Sequence, residues 1–167
     1  MDGLLFQRSG GGVLKLSPEV LSRLNPYRQL ELHQPEAGGV MLGRRILGCD
    51  DVVIDEVTPP MEGDSRARLQ FHRAPARHQS VIDARWAESR GTCLYLGEWH
   101  THPEPIPTPS SIDLEGWSRR LKEDQFDGSS LFFLIVGMER VALWEGFRQS
   151  RHLVPLRRIT SYFEQVS

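Results

Sequence analysis

Gly97-Glu98-Trp99-His100-Thr101-His102-Pro103-Glu104-Pro105-Ile106-Pro107-Thr108-Pro109-Ser110-Ser111-Ile112-Asp113 is the stretch on which the reading of this chain turns. Residues 92–99 read as a strand that delivers the histidines. Side chains two apart on a strand point to the same face, so His100 and His102 present two imidazoles to one point at the strand's end. Prolines at 103, 105, 107 and 109 make the following loop stiff and extended, so it hands the chain to a new helix at a fixed place. Asp113 lies in the first turn of that helix, expected over 110–123 with Leu114, Trp117 and Leu121 on its apolar side. Two imidazoles and one carboxylate, with a fourth position left for water, form a ligand set suited to catalytic rather than structural zinc.

Each residue also has a plainer reading. A single histidine is most often a surface or satisfied core residue, and Ser110-x-x-Asp113 has the form of a helix capping box. Standing beside His100 and His102, Asp113 reads better as a third ligand. Glu98 and Glu104 are rival ligands by type. Glu98 sits a step further from the strand end and Glu104 lies in the proline loop, so both are placed outside the ligand set.

Outward from this stretch, strands are expected at 13–16, 40–43, 51–57, 69–71, 131–136, 141–144 and 152–156. A helix should start at Ser17-Pro18-Glu19 and end or kink at Pro26. Another is expected over 77–90, with Val81, Ile82 and Trp86 on one side and Gly91 as its stop. Strands with interspersed helices predict an α/β (α+β) fold, a mixed curved sheet flanked by helices. At 167 residues the chain fits one domain, 1–167.

Hydrophobic residues at 39%, charged residues at 25% and a net charge of -2 suit a globular protein and give no global argument for nucleic-acid binding. The N-terminus lacks the basic start and long apolar core of a secretory signal, and no stretch approaches the ~20 apolar residues that span a bilayer. A cytoplasmic protein is expected, without a membrane partner. Cys49 and Cys93 stand in unrelated contexts, so neither a disulfide framework nor a cysteine zinc knuckle is indicated. Arg66, Arg68, Arg73 and Arg77, with His72 and His78 among them, read as a solvated face or a receptor for an acidic partner.

His-Thr-His-Pro, six residues, Ser, two residues, Asp, with an upstream Glu36 before Gly38-Gly39 and an apolar strand, resembles the JAMM motif of MPN-domain metalloproteases. The resemblance covers Pro35 to Asp113 and loosely the whole chain. It implies a cytidine-deaminase-like architecture, one Zn2+ per chain held by His100, His102 and Asp113, Glu36 as general base, and Ser110 helping to hold the oxyanion. Phe71, Arg73, His78-Gln79, Ile82-Asp83, Trp86, Glu88-Ser89, the run 95–100 and Pro-x-Pro-x-Pro-Ser-Ser are similar to a bacterial subgroup that includes the JAMM peptidase of CBASS antiphage operons. That likeness implies an isopeptidase acting on a protein with an extended C-terminal tail, a cGAS/DncV-like nucleotidyltransferase and its conjugates. Such a tail is expected to lie as an added strand on a sheet edge, with small residues where Gly38 and Gly39 crowd the cleft.

Competing classes are a non-catalytic MPN scaffold, a peptidase trimming ubiquitin-like or sulfur-carrier precursors, and a zinc hydrolase acting on a nucleobase or small amide. Deaminases want a Pro-Cys-x-x-Cys helix, which this sequence lacks. A scaffold has usually lost one of the five motif positions, and here all five are present.

Overall fold

The computed structural model describes residues 2–160. A nine-stranded mixed sheet forms its frame, in the order β10-β9-β8-β7-β3-β4-β2-β1-β11. In chain order these are β1 (Leu4–Gln7), β2 (Val13–Leu16), β3 (Gly38–Arg45) and β4 (Val52–Val57). A hairpin of β5 (Ser65–Ala67) and β6 (Gln70–His72) stands apart from the sheet. Then come β7 (Leu94–Thr101), β8 (Ser130–Val136), β9 (Val141–Phe147), β10 (Leu153–Pro155) and β11 (Arg157–Ile159). The helices are α1 (Pro18–Leu24), α2 (Pro75–Glu88) and α3 (Ser111–Glu123). Pairing is parallel between β7 and β8 and between β2 and β4, and antiparallel at the sheet's other junctions.

β8 explains why the sheet carries apolar layers on both faces. Leu131, Phe133 and Ile135 join the core packed with Trp117 and Leu121 of α3, while Phe132, Leu134 and Val136 join the core containing Val20 and Leu24 of α1. A strand buried on both sides reads as a continuous apolar run, which is what its sequence shows.

β7 breaks this alternation once, and the break places the site. Met41 pairs with Gly97 but Leu42 pairs with Tyr95, so Leu96 is an extra residue on β7, a β-bulge. Gly97 takes φ +140, and a Cβ there would lie 1.7 Å from the Phe132 carbonyl oxygen. Tyr95 faces the α3 side and Leu96 the α1 side. Strict alternation would then put Trp99 on the α3 side and His100 in the α1 core. The bulge reverses the phase: Trp99 enters the α1 core, and His100 comes to 6.2 Å from Trp117 of α3.

Several expectations are corrected. β1 and β11 were not expected as strands. They are short and pair with each other at one side of the sheet, so their strand character comes from partners rather than from their own patterning. Trp86 does not close a buried face, being 55% exposed, and Leu114 is 40% exposed. In α2 Val81 and Ile82 pack against the α3-side core as expected, and the fully buried residue is His78, bonded through Nδ1 to Thr58 Oγ1 at 2.7 Å and through Nε2 to Asp64 Oδ2 at 2.9 Å, so polar contacts anchor the helix beside its apolar ones. At Pro26 α1 gives way to a single 3-10 turn. Among the described residues, no helix is long and apolar enough to cross a membrane.

Candidate metal centre

β7 ends at Thr101, between β3 and β8, where His100 pairs with Gly38 on one side and Ile135 on the other. The next residue is fixed too, because the His102 backbone N–H donates to the Val136 carbonyl at 3.0 Å. Both imidazoles are buried, and they meet through Nε2 atoms 3.1 Å apart. The third group arrives from α3. Asp113 Oδ1 lies 3.2 Å from His100 Nε2, and Oδ2 lies 3.1 Å from His102 Nε2.

These three residues form a group able to hold a metal ion. Four tetrahedral ligands at zinc bond lengths of ~2.0–2.1 Å would stand roughly 3.3–3.4 Å from one another, close to the separations found, so the donor set fits zinc in spacing and chemistry. Burial alone would raise the Asp113 carboxyl, but hydrogen bonds from the two imidazoles, the charge of His100 and the Ser110 N–H hold it far below the usual carboxylate range. His102 is raised although burial opposes this, because the Asp113 carboxylate bonds it and Glu36 and Glu104 add negative charge.

Ser110 and Asp113 also make the capping box, Oγ accepting from the Asp113 N–H at 3.1 Å and the Asp113 carboxylate from the Ser110 N–H at 2.7 Å. Cap and metal-ligand geometry therefore coexist in Asp113. The Ser110 hydroxyl proton stays available to a ligand in the cleft.

Glu36 precedes β3 and brings Oε1 to 3.8 Å from His102 Nε2. Burial pushes its carboxyl up to about 7, opposed by the two histidines and assisted by Asp113. Its backbone is clamped: the Glu36 N–H donates to Ala67 of β5 at 2.7 Å, and Arg66 Nε donates to the Glu36 carbonyl at 2.8 Å. On the other side the Ala37 N–H donates to Thr101 Oγ1 at 2.9 Å, whose hydroxyl donates to Gln29 Oε1 at 3.0 Å. Sequence reasoning missed Thr101, Gln29 and this use of Arg66, since the contacts join segments far apart in the chain. The middle residue of His-Thr-His was the available signal, an inward hydroxyl between two ligands.

The trio and Glu36 line a cleft of about 1240 Å³, bounded by β6 and its approach and by α3. Leu69, Phe71 and Ile112 supply apolar wall, and Arg73 pairs with Glu98 at 3.2 Å. Within the basic run Arg73 is the inward pair, while Arg77 pairs with Glu62 at 3.0 Å on the exposed surface and Arg68 bonds the Glu31 and Leu32 carbonyls there. Gly39 belongs to the cleft lining, and neither it nor Gly38 has room for a side chain. A Cβ on Gly38 would meet the Phe71 ring at 2.5 Å, and one on Gly39 would meet the Thr58 carbonyl at 2.1 Å. Cys93 is buried and Cys49 exposed, and neither belongs to the cleft lining.

The family model for prokaryotic homologs of the JAB domain matches residues 19–148. The chain belongs to this family. This JAB domain is 35% identical over 158 residues to a Vibrio cholerae serotype O1 protein named CD-NTase/cGAS isopeptidase, covering 95% of this chain and 96% of that one. A protein of the same name from Escherichia coli is 32% identical over the same shares. Another from Pseudomonas aeruginosa is 37% identical over 125 residues, 75% of this chain and 77% of that one.

Proposed function

We propose that this JAB domain is a zinc-dependent isopeptidase of the cytoplasm, acting in CBASS antiphage defence to release a CD-NTase, a cGAS-like nucleotidyltransferase, from proteins joined to its C-terminal tail. The observation that carries this reading is the convergence of His100, His102 and Asp113 within 3.2 Å of one another, with the buried Glu36 carboxylate at 3.8 Å. The names of the relatives supply the substrate class.

Zinc at His100, His102 and Asp113 would polarise the scissile carbonyl and make a water acidic enough to be deprotonated near neutral pH. Glu36, whose carboxyl sits near 7, takes that proton as the water oxygen bonds to the carbonyl carbon. When the C–N bond breaks, the same carboxyl delivers the proton to the leaving lysine amine. Ser110 donates its hydroxyl to the oxygen of the tetrahedral intermediate while its Oγ keeps the helix cap. The Thr101 and Arg66 clamps keep Glu36 from swinging out of reach.

A tail strand has one natural place. β3 is paired on both sides, by β4 and β7, and the sheet's own edges are β10 and β11. Among the described residues β6 pairs with β5 alone, and it contributes Gln70, Phe71 and His72 to the cleft, so its free edge can take an extended tail beside the metal centre. Small tail residues are then demanded by Phe71 over Gly38, with Gly38 serving to admit that ring and Gly39 admitting the Thr58 carbonyl.

The substrate is tested by incubating the protein with the cognate CD-NTase joined through its C-terminal carboxyl to a lysine-bearing reporter, and with a linear tail fusion. Cleavage of the lysine conjugate at the tail's last residue is expected. Exclusive cleavage of the linear fusion would replace this reading with precursor processing, and zinc uptake without cleavage of either would remove the CD-NTase substrate.

A further inference from the structure

Glu104 lies in the proline loop, close to the metal centre but on the wrong side of it to be a ligand. Its Oε1 is 3.1 Å from His102 Nδ1, whereas the atom of His102 that faces His100 and Asp113 is Nε2. The two ring nitrogens point away from each other, so this carboxylate reaches the centre through the imidazole.

We infer that Glu104 is a positioning residue for the metal: by accepting the Nδ1–H of His102 it fixes the ring and the tautomer, leaving the Nε2 lone pair free to ligate. The inference rests on the zinc reading above. An imidazole whose second nitrogen donates to a carboxylate is a stronger, better oriented ligand than one left to solvent.

The loop is built to hold this carboxylate. Thr108 Oγ1 donates to the other oxygen, Oε2, at 3.3 Å. The Glu104 carbonyl accepts the Met138 N–H at 2.7 Å, and the Pro105 carbonyl accepts the N–H groups of Glu139 and Arg140 at 3.1 Å each. Gly137 lets the loop approach this turn, since a Cβ there would meet Pro107 Cδ at 2.6 Å and the Glu104 carbonyl oxygen at 2.7 Å. Proline on each side of Glu104 restricts its backbone further. The alternating prolines thereby gain a purpose beyond spacing His102 from Asp113. They hold an acid against the back of a ligand.

The test is zinc affinity, measured by competition with a chromophoric chelator, for the wild type, Glu104→Ala, Glu104→Gln and Thr108→Val. The melting temperature of each metal-free form is read alongside. Glu104→Ala should weaken zinc binding ~10–100-fold with the metal-free melting temperature unchanged. Glu104→Gln, whose amide oxygen still accepts the Nδ1–H, should recover most of that loss, and Thr108→Val should fall between it and the wild type. Equal affinities in all four proteins, with one zinc per wild-type chain, would overturn the inference and leave the isopeptidase reading intact. An affinity loss that tracks a fall in metal-free melting temperature, or that Gln does not rescue, would also overturn it. A wild-type chain that takes up no zinc would overturn both.

Discussion

Asp113 Oδ2 accepts the Ser110 backbone N–H at 2.7 Å and lies 3.1 Å from His102 Nε2, so one oxygen serves both the helix cap and the metal centre. The start of α3 is thereby tied to the end of β7 through a single carboxylate. Substitutions at Ser110 separate the cap from the chemistry. Ser110→Gly keeps the backbone N–H and costs only a few tenths of a kcal/mol as a cap, whereas Ser110→Ala costs about 1 kcal/mol. Both remove the oxyanion donor, so both should lower kcat roughly hundred- to thousand-fold. Steady-state kinetics beside urea titrations check this, and a Gly variant retaining wild-type kcat would contradict it.

Glu36 gives a pH-dependent stability in the metal-free protein. Burial raises its carboxyl from 4.5 in the reference state to about 7, so the folded form resists ionisation more than the unfolded chain does. The cost to stability is absent below about 4.5, grows as pH rises and is complete above about 7. Glu36→Gln removes it and should stabilise the chelated protein by roughly 3 kcal/mol at pH 8 and by much less at pH 5. Equal effects of Glu36→Gln at the two pH values in unfolding titrations would count against a buried, raised carboxyl.

The Asp64–His78 pair acts in the opposite sense. Burial would raise the Asp64 carboxyl, but the N–H groups of Met61 and Ala74 and the His78 imidazole bond it, and the net shift is downward from 3.8. Its contribution is present above about pH 4 and is lost as pH falls through the lowered folded value. Asp64→Asn should destabilise at pH 7 and flatten the acid limb below pH 4. Thermal melts from pH 2 to 7 measure this, and parallel acid limbs for wild type and variant would refute it.

Gly97, the single glycine of β7, should not tolerate replacement. Its φ of +140 disfavours a side chain, and its approach to the Phe132 carbonyl excludes one. Gly97→Ala is expected to cost on the order of 4 kcal/mol or more, enough to lose soluble protein or sharply lower the melting temperature. A Gly97→Ala protein melting with the wild type would show that the bulge does not set the phase of the strand.

What the sequence disclosed was local. His100 and His102 sit two apart at a strand end, Ser110 and Asp113 sit at capping-box spacing, and β8 announces itself by continuous apolarity, so each could be read within a few residues. The bulge at Leu96-Gly97 escaped, because its requirement comes from Phe132 across the sheet. Reading 92–99 as a regular strand still put both histidines on one face, since the bulge lies before them. The face they share depends on it. Trp86 and Leu114 misled because a 3.6-residue period reports a possible apolar face, while burial depends on what packs there. The Glu36 clamp was invisible for the same reason, joining Arg66, Ala67 and Thr101 across long sequence separations.

The central claim is that one zinc at His100, His102 and Asp113, with Glu36 as base, hydrolyses an isopeptide bond. Its most direct measurement takes metal content and cleavage of a CD-NTase–lysine conjugate from the same samples of wild type, Glu36→Gln, Asp113→Ala and chelated wild type. The account predicts one zinc per chain in wild type and Glu36→Gln, cleavage by wild type alone, loss of both zinc and activity in Asp113→Ala, and recovery of the chelated protein when zinc is returned. Cleavage that survives in Glu36→Gln, or in protein stripped of metal, would contradict it.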